Sequence, residues 1–342
     1  MSPAMDERHL SAEGMKALAA DLLKEGYIVI SDSADGKGFS AVKDGAAVRV
    51  DGSAKPGKAS FKQQVFPKTE PVFHFHKTVD DVLLFDALPP AQKTAVFGAR
   101  PCDAKSISIM RKVFNWDYKD EFFNTRADST IVIGTLCQFS DDACFCTSVG
   151  LCPSTTDGSD LFLVPLNNGG YSVKIVTEKG RQFVDEHAPL FGEAKPGAEE
   201  MVAQYPGPAQ KFDAGTVREW ISNNFESPHW ATLGEACLGC AQCAFSCPVC
   251  HCFDIVDEAD SYLDGRRMKN WDACQAGIFT KHASGHNPRD DQGKRYRQRV
   301  SHKFSYYPER FGEILCTGCG RCTRGCVVGV DIGAIATGIA AL

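Results

Sequence analysis

Cys237-Leu238-Gly239-Cys240-Ala241-Gln242-Cys243-Ala244-Phe245-Ser246-Cys247-Pro248 returns later in the chain as Cys316-Thr317-Gly318-Cys319-Gly320-Arg321-Cys322-Thr323-Arg324-Gly325-Cys326-Val327. Both stretches read C-x2-C-x2-C-x3-C, the spacing that holds cubane iron–sulfur clusters in bacterial-type ferredoxins. Two-residue spacers fold three sulfurs around one cluster, and the fourth cysteine of each run reaches the other cluster. The expected ligand sets are Cys237, Cys240, Cys243 and Cys326 for one [4Fe–4S] cluster, and Cys316, Cys319, Cys322 and Cys247 for a second. Zinc also takes four cysteines, but from two separated C-x2-C pairs, and has no use for a third and fourth cysteine in each run. A disulfide framework needs an oxidising compartment.

Outward from these motifs, the chain is too long, at 342 residues, for a simple ferredoxin, and its length suggests about two domains. A net charge of −6 argues against a nucleic-acid binder. The start, Met1–Leu10, is polar, no stretch is long and apolar enough to span a membrane, and sixteen cysteines fit a reducing interior. The expected setting is the cytoplasm of an anaerobe or facultative anaerobe.

The amino-terminal part reads as α/β. Ser11 caps a helix that runs to Glu25 and stops at Gly26. A strand at Tyr27–Ile30 and a hairpin around Asp44-Gly45 follow. Thr94–Gly98 and Thr130–Thr135 are short apolar runs of the buried-strand type, with a helix from Asp103 to Val113 between them. Asp160–Val164 and Tyr171–Val176 read as a further hairpin, and the Pro/Gly-rich stretch Lys195–Pro208 as a linker. The expected fold class is α+β or α/β: an α/β domain over 1–208, then a mostly helical ferredoxin-type dicluster domain over 209–342. The insert 253–313, including Asp254–Leu263, reads as helical.

Cys102 and Cys137 follow the two apolar runs directly, where open α/β sheets collect their sites. With Cys144 and Cys146 they make a candidate third four-thiolate site; the simpler alternative is four buried thiols. Asp103 begins the helix beside that site. Cys152, Cys250, Cys252 and Cys274 carry no assigned role and read most simply as free thiols. The basic stretch Arg289, Lys294, Arg295, Arg297, Arg299 and Lys303 has two readings: a surface for an acidic partner, or charge that neutralises thiolate clusters.

The run Cys237–Asp254 resembles the first cluster motif of the dicluster iron–sulfur subunits. That family takes in the beta subunit of sulfhydrogenase-type cytoplasmic [NiFe] hydrogenases and the dicluster subunit of anaerobic sulfite reductase. The resemblance continues through Trp271-Asp272-Ala273-Cys274, Arg295-Tyr296-Arg297-Gln298-Arg299, His302-Lys303-Phe304, Cys316–Cys322 and Gly329-Val330-Asp331-Ile332. Upstream it includes Gly98-Ala99-Arg100-Pro101-Cys102-Asp103 and Cys144-Phe145-Cys146, so it covers most of the chain from about residue 95. Val327 stands where the family has Pro, and Cys152 where it more often has a small residue. The resemblance implies an electron-transfer protein between a flavoprotein that handles NAD(P)H and a catalytic redox partner of hydrogenase, sulfite reductase or heterodisulfide-reductase type. It also strengthens the third cluster at Cys102, Cys137, Cys144 and Cys146.

The chain lacks a G-x-G-x-x-G after a strand, a P-loop, a hydrolytic Ser/His/Asp arrangement and an HExxH motif. No flavin and no catalytic residue are therefore expected in this chain. The competing readings are a flavin- or deazaflavin-binding oxidoreductase in its own right, and a redox sensor, which would need a nucleic-acid-binding module.

Overall fold

The computed structural model describes residues 6–167 and 169–342. The first half of the polar start Met1–Leu10 lies outside them. The strands are β1 (Glu7–Leu10), β2 (Ile28–Asp32), β3 (Phe39–Ala41), β4 (Thr69–Lys77), β5 (Val82–Asp86), β6 (Thr94–Ala99), β7 (Thr130–Thr135), β8 (Leu161–Pro165), β9 (Tyr171–Ile175), β10 (Phe191–Glu193), β11 (Phe253–Ala259) and β12 (Asp264–Trp271).

One sheet runs β10-β1-β9-β8-β7-β6-β2-β3. Its centre, β2, β6, β7 and β8, is parallel, and antiparallel strands close both sides. The central strands are apolar throughout because both faces are covered. Val29, Ala95, Phe97, Ile131 and Ile133 face the helix Ala12–Lys24 on one side. Ile30, Val96 and Val132 face the helices Pro101–Phe114 and Glu121–Asp128 on the other. Ser11 caps the first helix as its sequence indicates, its hydroxyl accepting from Gly14 N at 2.9 Å.

Three local expectations differ from the structure. Asp44 does not turn a hairpin: its carboxylate accepts from Ala46 N and caps a short 3-10 turn over Gly45–Ala47. Lys195–Pro208 is not all linker, because Ala198–Ala203 is helical and buries Ala198 and Met201 against Phe162 and Val164. Asp254–Leu263 is not a helix but a strand and turn, and β11 pairs antiparallel with β12 from Phe253↔Trp271 to Ala259↔Gly265. Cross-strand pairs explain this: Asp257 faces Arg267 and Glu258 faces Arg266, which ladders charges across the hairpin. Helix in the insert begins only at Gln292.

The hairpin belongs to a second sheet, β11-β12-β4-β5, which mixes strands from both parts of the chain. The parts interlock elsewhere too. The helical stretch Gln292–Phe311 lies against the helix Pro101–Phe114, and Tyr307 Oη donates to Ile109 O at 2.6 Å. No helix among the described residues is long and apolar enough to cross a membrane.

Candidate metal centres

The two cysteine motifs fold into the same loop. Gly239 and Ala241 in the first have φ of 67° and 63°; Gly318 and Gly320 in the second have 62° and 69°. Each loop then enters a short helix, Gln242–Phe245 or Arg321–Arg324. Left-handed residues between the cysteines turn the chain back so that successive thiols face one centre.

Cys237, Cys240, Cys243 and Cys326 line one cavity, together with Cys322, Tyr296 and Arg299. The last cysteine of the second run thus meets the first three of the first run, as the ferredoxin pattern requires. Cys316, Cys322 and Cys247 are buried or nearly so and lie within Coulombic reach of one another; Cys319 adjoins Cys322. Burial pushes the Cys316 thiol up to about 12 and Cys243 up to about 11.

The amino-terminal set also converges. Cys102, Cys137, Cys144 and Cys146 line a cavity beyond the carboxyl ends of β6 and β7, as expected from the sheet. Cys102 stands in the first turn of the helix Pro101–Phe114, and burial, with the Asp103 carboxylate beside it, pushes its thiol well up. Burial pushes Cys146 up to about 12. Two further cysteines line this cavity that the pattern did not assign to it, Cys152 and Cys319.

Cys319 arrives there because the second motif packs on the C-x-C loop backbone to backbone. Phe145 N donates to Gly318 O at 3.0 Å. A Cβ on Gly318 would stand 2.4 Å from Cys146 N, and one on Gly320 would stand 2.6 Å from Ala143 O. Only glycine admits this approach. Arg324 ties the same seam, donating to Asp141, to Cys319 O and to Cys144 Sγ at 3.0 Å.

The basic stretch divides by helical position. Lys294 pairs with Asp290 and Arg297 with Glu226 at the surface. Arg299 and Lys303, four residues apart on the inner face, are both about 2% exposed. Arg299 donates to Cys243 O and to Cys250 Sγ at 3.8 Å; Lys303 donates to Cys247 Sγ at 3.4 Å and to Leu315 O. Lys303 sits where the helix widens into a π turn over His302–Tyr306, a distortion common at functional sites. Burial opposes its charge, but the sulfurs of Cys247, Cys250 and Cys316 more than offset this and raise its pKa. Neither cation has a carboxylate within ion-pair distance among the described residues, so thiolate charge is what compensates them.

These features were not assigned from sequence: the inward position of Arg299 and Lys303 and buried Arg100 and Arg321. Arg100 lines the amino-terminal cavity at 1% exposure, with Nε unpartnered. The i, i+4 spacing of Arg299 and Lys303 was the available signal.

The donor chemistry fits iron–sulfur clusters. Soft thiols surround each of the two cavities, cations face them, and apolar walls limit water. Among the described residues no group of three or more His, Cys, Asp or Glu side chains is arranged to hold a single metal ion.

Such a constellation, on a fold with two repeated cysteine loops, defines an iron–sulfur electron-transfer protein. Residues 236–330 match the family model of the 4Fe–4S dicluster domain. Over 247 residues the chain is 30% identical to sulfhydrogenase 2 subunit beta of Pyrococcus furiosus, covering 70% of this chain and 72% of that one. The chain belongs to the family of dicluster iron–sulfur electron-transfer subunits that contains this hydrogenase subunit.

Proposed function

We propose that this chain is the relay subunit of a cytoplasmic oxidoreductase complex, standing between a flavoprotein that binds NAD(P)H and a catalytic redox subunit of hydrogenase, sulfite reductase or heterodisulfide-reductase type. Cys237, Cys240, Cys243 and Cys326 hold one [4Fe–4S] cluster, Cys316, Cys319, Cys322 and Cys247 a second, and Cys102, Cys137, Cys144 and Cys146 a third. The functional division falls near residue 208, with the third site in 1–208 and the dicluster unit in 209–342.

The observation that carries this reading is the sharing of walls. Cys322 lines the cavity of the first motif, and Cys319 lines the amino-terminal cavity. The four-residue turn Cys319–Cys322 reaches toward a site on either side, which supports a relay of three sites in series. Bound clusters would supply one-electron carriage, the step a two-electron flavin donor and a metal-centred acceptor need between them. The protein's own part is to hold the thiols, to place Arg299, Lys303, Arg321 and Arg324 against their charge, and to exclude water from the seam.

The test is anaerobic purification of the tagged chain from its host, with iron, sulfide and flavin measured and co-purifying proteins identified. A flavoprotein and a nickel- or sirohaem-containing partner are expected. A lone chain carrying its own flavin overturns the reading. In the complex, Cys240→Ala should lose about four irons and most electron flux, while the partner keeps its activity with an artificial donor. Full flux in that variant refutes the relay.

A further inference from the structure

Twelve cysteines serve the sites above, and three of the four that remain share one buried cavity. Cys250, Cys252 and Cys274 line a small space with His251, His302, Arg299, Lys303 and Leu315. The topology explains why residues so far apart in sequence meet there. Cys252 directly precedes β11 and Cys274 follows β12, so closing the hairpin brings them together; Asp272 N donates to Cys252 O at 3.0 Å across its base.

The surroundings are those of a negatively charged occupant. Lys62, from the amino-terminal part, is 3% exposed and has no carboxylate partner among the described residues. Its ammonium lies over the Trp271 ring and donates to Cys250 O at 2.9 Å. Arg299 Nη1 reaches Cys250 Sγ, and Gln275 Nε2 reaches Cys274 Sγ at 3.7 Å. Three buried cations, Lys62, Arg299 and Lys303, thus stand around or behind three thiols, and neutral thiols would leave that charge uncompensated. Burial pulls the Lys62 ammonium down, and the sulfurs of Cys250, Cys252 and Cys247 oppose this, so Lys62 serves this cavity together with the neighbouring Cys247. His251 Nδ1 donates to Val249 O at 3.0 Å, which leaves Nε2 with its lone pair, the tautomer of a ligating imidazole.

We propose that Cys250, Cys252 and Cys274 hold a further iron–sulfur cluster, bound by three cysteines, with its remaining corner toward His251 and His302. The site lies beside Cys247, a ligand of the second cluster in the reading above, and extends the wire by a branch. A single zinc ion on three cysteines and a histidine is the rival occupant, and the zinc and sulfide contents separate the two.

The experiment compares iron, acid-labile sulfide and zinc in the anaerobically purified full chain with Cys274→Ser and Cys252→Ser. A folded variant is expected to lose three to four irons, roughly the content of one cluster, with matching sulfide, while the electron paramagnetic resonance of the other clusters persists. Unchanged iron and sulfide, or loss of one zinc instead, overturns the proposal. Should neither variant fold, the wild-type count decides, with Cys102→Ser fixing the iron held at the amino-terminal site. Iron beyond that site and the two repeated motifs supports the further cluster, and none beyond them overturns it. Failure here leaves the relay reading standing, since Cys240→Ala tests that separately.

Discussion

Arg321 is the residue through which the second cluster loop is fastened to the α/β part, and replacing it should be costly in a specific way. Its side chain is 1% exposed and that of Asp103 fully buried. Nη2 donates to Asp103 Oδ2 at 3.0 Å, Nη1 stands 2.7 Å from Oδ1 off the hydrogen-bond line, and Nε donates to Gly57 O at 2.8 Å. Arg321→Ala strands a carboxylate in the interior, a loss of about 3–5 kcal/mol. Removing both charges with Arg321→Met and Asp103→Leu replaces the pair by apolar groups, and such replacements are often neutral or better. The order of stability should therefore be wild type and double variant together, the single variant well below. Cofactor loss makes unfolding irreversible, so the assay is the anaerobic unfolding rate in urea, followed by circular dichroism. If the seam opens in the rate-limiting step, the single variant unfolds faster by about two to four powers of ten, the double by less than about tenfold. A single variant at the wild-type rate, or a double variant as fast as the single, refutes the argument that the pair is valuable mainly because each charge would otherwise be buried alone.

Gly318→Ala forces a Cβ to 2.4 Å from Cys146 N at a φ of 62°. It should cost at least about 2 kcal/mol and lower the iron bound; wild-type melting and iron content would contradict this. Ala241→Gly acts oppositely: Ala241 holds the left-handed conformation that its counterpart Gly320 adopts freely, at a φ of 63°. Stability should rise by up to about 1 kcal/mol, and a drop of that size in the melting curve would count against the strain. Arg324, hydrogen-bonded to Asp141, holds that carboxyl at about 2. A depressed folded value means the contribution is complete above the ordinary aspartate range and is lost as pH falls through about 2. With the side chain 31% exposed, screening reduces the contribution to about 1 kcal/mol. Asp141→Asn should flatten the stability–pH curve of the protein below about pH 4, and an unchanged slope would contradict the pairing.

How far the fold was legible depended on what each segment is buried against. Thr130–Thr135 was read to the residue because both sheet faces are covered, which leaves an unbroken apolar run. Phe253–Ala259 was misread because it is exposed along its whole length: with no core face, its pattern records cross-strand charge pairing, and that partner lies beyond a turn. The meeting of Cys326 with Cys237, Cys240 and Cys243 was legible from spacing alone, because the repeated loops fold alike. The place of Cys319 on the amino-terminal cavity was not, because it follows from a glycine-mediated contact between two backbones. The cavity at Cys250, Cys252 and Cys274 was hidden by the same error that hid the hairpin, since a helix over 254–263 would not return Cys274 to Cys252.

The buried charges link assembly of the protein to its cofactors. In the empty chain, burial holds Cys146 and Cys316 near 12, so these thiols are protonated at neutral pH. Arg299 and Lys303 then sit in the interior opposite sulfur that is only partly charged: the Cys250 thiol and Lys303 hold Cys247 well below the usual thiol range, while burial pushes Cys243 up to about 11. Iron binds thiolate and releases the proton, so loading creates the negative charge these cations were placed to meet. The second motif has the most to gain, because Cys247 contacts Lys303 and Cys319 shares the seam of Arg321 and Arg324. That seam also joins the two parts of the chain. Cluster loading and docking of the parts should therefore be a single cooperative event, with the cations setting the penalty for leaving the sites empty.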